Sequence, residues 1–348
     1  MTSPIPGVTA AMTPPACRLC GAEAAAQDVR APVVYGSTEG HRFFQCRACD
    51  LVYLWPVPSE AQERQFYTNE FERYMHGRTK DGRDWSGPEL HKRSNQDHVT
   101  RRLRFLNGHW KPGDRILEVG CSSGFMMDAF REAGMDPVGI EMSESFIAYL
   151  RSNQHACFGS MEELRAMKPS HRFDLIVHFF VLEHIRDTRQ FLADQLAVLA
   201  DDGVIIAEVP CVNDPLTSLY AIPAFERFYW SIAHHYYFSP RSIARVLDTI
   251  DCHYAIVPEQ RYDLSNHLVW MQHEQPGGQG RYNDVFSSVT LESYRQDLMR
   301  HWRCDTFFLY VWKRGATRQA SRVWDSPAVC GQGAAPPIRH AQPTGGAS

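Results

Sequence analysis

Short apolar runs alternate with amphipathic stretches through most of the chain. The runs that predict strands are residues 115–121, 136–143, 155–161, 173–184, 203–210, 252–262 and 267–274. Helical periodicity separates most of them, as in the stretch that follows the capping residue Ser143. This alternation predicts an α/β fold with a doubly wound, seven-stranded and mostly parallel sheet. Ligands of such sheets bind at the carboxyl ends of the strands.

The same patterning divides the chain into segments. Both ends are rich in Pro, Ala, Gly and Thr and poor in large apolar residues, so we expect them to be disordered. The predicted segments are a disordered start (1–16), a cysteine-containing ribbon (17–58), a helical linker or lid (59–108), the ligand-binding sheet domain (109–273), a loop and helix (274–314) and a disordered tail (315–348).

Two helical stripes have more than one interpretation. Tyr67 and Tyr74, on the helix after the ribbon, either cover a substrate or pack the ribbon on the body. Near the C-terminus an apolar stripe predicts core packing, with a dimer face as the less favoured interpretation. That stripe consists of Leu291, Tyr294, Leu298 and Trp302.

Composition and charge exclude several classes of function. The 348 residues are 44% apolar and carry a net charge of −4, so no global basic field attracts nucleic acid or an anionic membrane. The longest apolar run is too short to span a bilayer, and no basic and apolar leader opens the sequence. Four of the ten cysteines form two Cys-x-x-Cys pairs and the rest are single, which favours a reducing compartment. We therefore expect a cytoplasmic protein.

The paired cysteines have the spacing of a tetrahedral four-thiolate site. Such a site is closed and structural, and metal binding supplies folding energy that a small module lacks. Zinc is the favoured ion, and an iron–sulfur cluster is the alternative. The arginines and acids between residues 17 and 50 balance, so the ribbon lacks the basic surface that tracks phosphates. The predicted ligands are Cys17, Cys20, Cys46 and Cys49.

The turn after the first strand of the sheet, residues 118–124, has three interpretations. A dinucleotide-binding Gly-x-Gly-x-x-Gly needs glycine where Ser122 and Phe125 stand. A Gly-x-Ser-x-Gly nucleophile elbow also matches at Ser122, with Asp174 and His234 as candidate partners. The pattern Glu-x-Gly-x-Ser-x-Gly, however, resembles motif I of class I S-adenosylmethionine (SAM) methyltransferases, with serine replacing the middle glycine.

That resemblance implies a set of cofactor contacts in the order in which the chain presents them. Glu118 would face the cationic amino-acid end, and Glu141, closing the second strand, would accept the ribose hydroxyls. Residues 158–164 follow the strand after which this family places adenine contacts, and 177–187 resemble its motif ending in Leu-Glu-His. The candidate cofactor-binding residues are Glu118, Gly120, Ser122, Gly124, Glu141, Met142, Ser160, Met161, His178 and Phe179.

A finer resemblance covers residues 17–273. A ribbon ending in CDLVYLWPVP, a tyrosine-containing helix and a SAM methyltransferase together resemble bacterial methyltransferases of nucleotide-linked sugars. Their Glu-His-x-x-x-Phe-Ser motif matches AHHYYFS, except that Ala233 replaces the glutamate. The resemblance implies a sugar-type small-molecule acceptor and His234 as general base, with His184 or Tyr237 beside it. Because the orienting carboxylate is missing, methylation of oxygen or nitrogen is at least as well favoured as methylation of carbon.

Two other functions stay open at this stage. Some RNA-directed methyltransferases carry a zinc module, although the balanced ribbon and acidic pI favour a small-molecule acceptor and no nucleic acid. A non-catalytic binding protein on a methyltransferase fold is the other, suggested by Ser122 and Ala233. A homodimer is left open, and no membrane partner is expected. The apolar residues 51–55 should dock the ribbon on the body and make it a lid.

Overall fold

The computed structural model describes residues 13–37, 40–66 and 87–316. Within them the strands form a four-stranded and a seven-stranded sheet. The strands are β1 (Gln27–Ala31), β2 (Arg42–Cys46), β3 (Val52–Trp55), β4 (Arg115–Val119), β5 (Asp136–Ile140), β6 (Ala156–Phe158), β7 (Phe173–Phe179), β8 (Leu199–Pro210), β9 (Tyr236–Tyr237), β10 (Cys252–Glu259) and β11 (Thr306–Lys313).

The large sheet has the order β10-β11-β8-β7-β4-β5-β6. Strands β6, β5, β4, β7 and β8 are parallel to one another, and β11 is antiparallel to both β8 and β10. The central strands are continuous apolar runs because helices cover both faces; Leu175, Ile176 and Val177 are all fully buried. This confirms the predicted seven-stranded α/β sheet.

The helices lie mainly between the strands, as the sequence pattern predicts. They are α1 (Glu60–Gln65), α2 (Pro88–Ser94), α3 (Asp97–Leu106), α4 (Phe125–Glu132), α5 (Glu144–Ser152), α6 (Met161–Met167), α7 (Thr188–Val198), α8 (Pro215–Ser218), α9 (Pro223–Tyr229), α10 (Pro240–Leu247), α11 (Leu264–His273) and α12 (Ser288–Arg300). A 3₁₀ turn, Leu182–His184, follows β7. None of these helices has the length and apolar character needed to cross a bilayer.

The seventh strand is not the one that the sequence pattern predicts. The prediction of a strand over 267–274 is wrong, because Asp263 caps a helix there whose Val269 and Trp270 are buried while Met271 is exposed. The strand is instead β11, whose Phe307, Phe308 and Leu309 are all buried between β8 and β10. The sheet domain therefore extends beyond residue 273 and includes much of the segment predicted as loop and helix.

The small sheet joins the cysteine ribbon to the large-sheet domain. Its order is β1-β2-β3-β9, and β9 comes from the chain that follows β8. Val52 pairs with Tyr237 and Tyr53 with Tyr236. The residues from Leu51 to Leu54 are no more than 2% exposed, which confirms that this apolar stretch docks the ribbon.

Some predictions fall outside the described residues. These are the disordered ends, except for residues 13–16 and 315–316, and Tyr67 and Tyr74. The stripe on α12 is described: Leu298 and Trp302 are buried, and the Tyr294 hydroxyl hydrogen-bonds to Tyr220 and His267. These contacts agree with the core interpretation of the stripe.

Candidate cofactor and acceptor site

The glycine turn after β4 has a backbone that only glycine adopts without strain at two positions. Gly120 has a φ of +72°, and a Cβ there would lie 2.7 Å from Cγ2 of Val181. Gly124 has a φ of +73°, and a Cβ there would meet Leu150 at 2.5 Å. The turn therefore packs closely against the loop after β7 and against α5, at the carboxyl edge of the sheet.

Ser122 occupies the position at which the resembling motif has its middle glycine. Its φ of +44° lies in the left-handed region, where a side chain costs about 1 kcal/mol or more. Its backbone N–H donates to Oε2 of Glu141 at 2.8 Å. The next hydroxyl, of Ser123, lies 2.7 Å from Nδ1 of His91, so α2 covers the turn.

Glu141 stands at the end of β5 with both carboxylate oxygens held by backbone N–H groups. Ser122 donates to Oε2, and Met142 and Ser143 donate to Oε1 at 2.8 and 2.9 Å. Burial raises the pKa of Glu141, and these three hydrogen bonds oppose the rise. The carboxylate is thus fixed beside the glycine turn with lone pairs left to accept hydroxyls.

Glu118 lies on β4, one strand along from Glu141, and is 3% exposed. Its Oε2 atom is buried and has no hydrogen-bond partner among the described residues. Burial raises its pKa to about 8, and the charge of Arg102 opposes that rise. A buried carboxylate oxygen with this environment fits a cationic amino group at the glycine turn.

The predicted adenine contacts lie on the same edge, because β6 pairs with β5. Ser160 caps α6 by accepting from the Glu163 backbone N–H at 3.1 Å, and Met161 is the first residue of that helix. Met142 is 73% exposed beside Glu141.

Two predicted cofactor contacts are placed in the core instead. His178 is fully buried, with its ring packed edge-on against Phe191 of α7, and burial lowers its pKa to about 3. Phe179 lies under the guanidinium of Arg102, 4.2 Å from its ring centroid. Alternation along a strand turns neighbouring side chains to opposite faces, and here both faces are covered by helices.

The nucleophile-elbow interpretation of Ser122 is wrong. Asp174 is the second residue of β7, and its carboxylate accepts from the backbone N–H of Arg115, the first residue of β4. It therefore lies at the amino end of the sheet, whereas Ser122 lies at the carboxyl end. Strands of this length separate the two ends by roughly 15 Å, far beyond hydrogen-bond reach.

His184 and His234 are brought together at the carboxyl edge. Their ring centroids are 4.7 Å apart and their planes are nearly perpendicular. His184 Nδ1 lies 2.8 Å from the carbonyl oxygen of Ala233, and Nε2 lies 4.0 Å from Oε1 of Glu183. Burial raises the pKa of Glu183 to about 8. The turn after β7 and the segment before β9 thus present two imidazoles and a carboxylate side by side.

Tyr237 lies beside His234, but its hydroxyl is hydrogen-bonded to backbone groups. Its ring packs against His234, with 4.9 Å between centroids, as the prediction of a neighbour requires. Its hydroxyl, however, donates to the carbonyl of Tyr229 and accepts from the backbone N–H of Ser231, and the residue is 1% exposed. It pairs with Val52 in the small sheet, so it joins ribbon to body.

Several residues of the site carry no local signal in the sequence. The basic residues of the helical stretch 91–105 predict a solvated face. In the structure, however, Arg102 is buried and donates to Glu208 of β8 at 2.9 Å. Glu63 of α1 contacts His235 Nε2 at 2.8 Å and Arg186 at 2.7 Å. These pairs join segments far apart along the chain, so no spacing pattern reveals them.

A cavity of about 340 Å³ opens beside Glu259, at the carboxyl end of β10. Its lining is mixed in charge and includes four arginines. The guanidinium of Arg261 stacks on Phe180, the residue that follows β7, at 4.4 Å. The lining arginines are Arg101, Arg104, Arg261 and Arg295.

The four paired cysteines converge as their spacing predicts. One Sγ atom from each lies within 4.8 Å of the others. Cys17 Sγ is 3.5 Å from Cys49 Sγ, and Cys20 Sγ is 3.7 Å from Cys46 Sγ. Four sulfurs each 2.3 Å from a tetrahedral ion would be about 3.8 Å apart, so this cluster has the dimensions of a zinc-ribbon site.

Comparison with known proteins agrees with this geometry. Residues 90–254 match a family model described as a methyltransferase domain. A ubiquinone biosynthesis O-methyltransferase from Bradyrhizobium sp. (strain ORS 278) is 33% identical over 100 residues, which are 27% of this chain and 39% of that protein. A probable S-adenosylmethionine-dependent methyltransferase from Mycolicibacterium smegmatis is 29% identical over 105 residues, 29% of this chain and 40% of that protein.

These matches span about two fifths of the length of the curated relatives. Among solved structures, a SAM-dependent methyltransferase from Archaeoglobus fulgidus aligns with a TM-score of 0.42 and 18% identity, over 64% of this chain and 96% of that one. Residues 90–254 thus match a methyltransferase domain, and they contribute strands to the seven-stranded α/β sheet described above.

Proposed function

We propose that the chain transfers the methyl group of SAM to a hydroxyl oxygen of a small-molecule acceptor. One observation carries the cofactor half of this proposal: Glu141 is fixed by three backbone N–H groups beside the glycine turn. The acceptor half rests on His184 and His234, which stand at the same edge of the sheet.

The residues present fit the cofactor. SAM supplies an electrophilic methyl group on a sulfonium. Glu141 would hold the ribose, and the buried Oε2 of Glu118 would receive the amino group. Gly120 and Gly124 let the backbone approach, and Ser160 and Met161 border the adenine end together with Met142.

His234 is the proposed general base, and His184 lies beside it. The carbonyl oxygen of Ala233 only accepts, so His184 Nδ1 carries the proton and its Nε2 presents a lone pair. The histidines would orient the acceptor hydroxyl and receive its proton during methyl transfer.

Oxygen is favoured over carbon as the attacked atom for two reasons. The matched curated relatives include proteins named as O-methyltransferases. Ala233 also stands where the resembling sugar enzymes have the glutamate that would orient the base for carbon methylation.

The acceptor itself is proposed as a sugar-type molecule, nucleotide-linked or part of a glycan. The relatives' names do not mention sugars, so this choice rests on the arrangement of ribbon, tyrosine helix and domain.

The cysteine ribbon is proposed to hold one structural zinc ion. The described cysteines are all free thiols, and the four sulfurs lie within 4.8 Å of one another. Because β3 pairs with β9, the ion would also stabilise the segment that carries His234.

An acceptor screen tests the proposed reaction. Purified chain is incubated with SAM and with sugar nucleotides, free sugars, phenols or amines, and S-adenosylhomocysteine and methylated product are measured together. We expect product that carries the methyl on oxygen, and none from Glu141→Ala. Product methylated on carbon or nitrogen would overturn the O-methyl assignment. Product formed from phenols or amines but from none of the sugars would overturn the sugar assignment.

A further inference from the structure

Glu183, His184 and His234 bring three metal-ligating groups together at the carboxyl edge of the large sheet. One ligand atom of each lies within 4.8 Å of the other two. Two hydrogen bonds hold the contributing segments together: His184 Nδ1 donates to the Ala233 carbonyl at 2.8 Å, and the His235 backbone N–H donates to the Glu183 carbonyl at 2.8 Å.

The tautomer of His184 decides what faces Glu183. Since Nδ1 donates to a carbonyl oxygen, the neutral imidazole has its lone pair on Nε2. That nitrogen lies 4.0 Å from Oε1 of Glu183. Two electron-pair donors therefore face each other across a gap too long for a hydrogen bond and suited to a cation between them. An imidazole whose other nitrogen donates to a backbone carbonyl is the usual arrangement of a metal-ligating histidine.

Glu183 supplies a second, independent observation. It is 1% exposed, and its Oε2 atom is buried without a hydrogen-bond partner among the described residues. A carboxylate oxygen in that position is costly unless a cation or a proton compensates it. The two histidines are only partly buried, so the cluster is open on their side.

We propose that Glu183, His184 and His234 bind a divalent first-row transition-metal cation, separate from the ion of the cysteine ribbon. Two imidazoles and one carboxylate suit Mn²⁺, Fe²⁺ or Zn²⁺ and leave coordination positions open. The three ligand atoms already lie within 4.8 Å of one another, and the two hydrogen bonds described above hold their segments together.

The location gives the ion a use that rests on the proposed function. The turn packs on the methyl-donor site, since Val181 fills the space against Gly120. An ion held by these residues could also take an oxygen of the acceptor, which would favour the ionised hydroxyl. In the metal-bound chain the histidines then act as ligands, and His234 no longer serves as the base.

Manganese titration tests the site without any methyl transfer. The full chain is dialysed briefly against a chelator until one tightly held zinc per chain remains, and Mn²⁺ is added. Mn²⁺ suits imidazole and carboxylate ligands, whereas thiolates select zinc, so it reports on this cluster rather than on the ribbon. Free and bound Mn²⁺ are counted by electron paramagnetic resonance. We expect saturation at one Mn²⁺ per chain and a rise in melting temperature.

Three variants and one control locate the ion. Glu183→Gln, His184→Ala and His234→Ala should each weaken Mn²⁺ binding by about tenfold or more. His253→Ala, an exposed histidine on β10, should leave it unchanged. Unsaturable Mn²⁺ binding by the native chain, or equal affinity in the folded variants, would overturn the proposal. SAM binding is measured in parallel. A native chain that binds Mn²⁺ but not SAM would overturn the proposed function and leave the metal site standing. A chain that binds SAM but not Mn²⁺ would do the opposite.

Discussion

Oε1 of Glu63 lies 2.8 Å from Nε2 of His235, so the helix after the cysteine ribbon is anchored directly beside His234. The same carboxylate contacts Arg186 at 2.7 Å. Although burial opposes it, the hydrogen bond from His235 lowers the pKa of Glu63. Ribbon, α1 and the acceptor edge are therefore mechanically linked.

Breaking that link should affect the acceptor and spare the cofactor. In Glu63→Ala we expect a higher KM for the acceptor, by several-fold, and an unchanged affinity for SAM, because α1 lies beside His235 and not beside Glu141. Steady-state kinetics and SAM titration measure the two effects. Glu60→Ala, an exposed residue one turn earlier on the same helix, is the control. An equal loss of SAM affinity would count against the lid role.

Removing a cysteine ligand should release zinc and destabilise the ribbon. In Cys20→Ser we expect the zinc content to fall from one ion per chain toward none and the melting temperature to drop. Cys252→Ala, a buried cysteine far from the cluster in sequence, should retain its zinc. We also expect chelation to abolish acceptor turnover before it abolishes SAM binding, because the ribbon reaches the acceptor edge through β9. Zinc retained in full by Cys20→Ser would contradict this account. Simultaneous loss of acceptor turnover and SAM binding on chelation would contradict it as well.

The two small residues of the glycine turn should respond in opposite ways. Gly120→Ala places a Cβ at 2.7 Å from Val181 on a left-handed backbone, so we expect lower stability and weaker SAM binding. Ser122→Gly relieves the strain at a φ of +44°, offset by the chain entropy of glycine, so stability should stay equal or rise by up to about 1 kcal/mol. Chemical denaturation and SAM titration compare them. If Ser122→Gly proved less stable than Gly120→Ala, the serine side chain would have a stabilising role beyond the geometry of the turn.

Glu118 should make stability depend on pH. Its usual pKa is 4.5 and its folded value is about 8, so the folded chain holds a proton that the unfolded chain has released between these values. Stability therefore falls as pH rises from about 4.5 to about 8. In Glu118→Gln we expect a smaller fall between pH 5.5 and pH 8, measured as melting temperature without cofactor. Identical slopes in native chain and variant would mean that Glu118 is ionised in the folded state.

The sequence predicts what is encoded locally. The glycine turn, Glu141 and the four cysteines are recognisable because the spacing of a few residues determines their geometry. The parallel strands around β4 and β7 are recognisable because burial on both faces makes them continuous apolar runs.

Contacts between distant segments could not be predicted in this way. Arg102 meets Glu208 across 106 residues, and a basic helix gives no sign of which arginine is buried. The sequence pattern predicts the seventh strand at residues 267–274 instead of at β11 for a similar reason. Both stretches are apolar, and only their neighbours in the sheet decide between helix and strand. His178 and Tyr237 lie within the stretches that match the family motifs, but both side chains are buried in the core.

Isothermal titration with SAM tests the central claim most directly. We expect one SAM per native chain, and an affinity weakened by about tenfold or more in Glu141→Ala, which lacks the carboxylate proposed to bind the ribose. Glu144→Ala, an exposed carboxylate at the start of α5, should bind as the native chain does. No binding of SAM by the folded native chain, or equal binding by folded Glu141→Ala, would contradict the account.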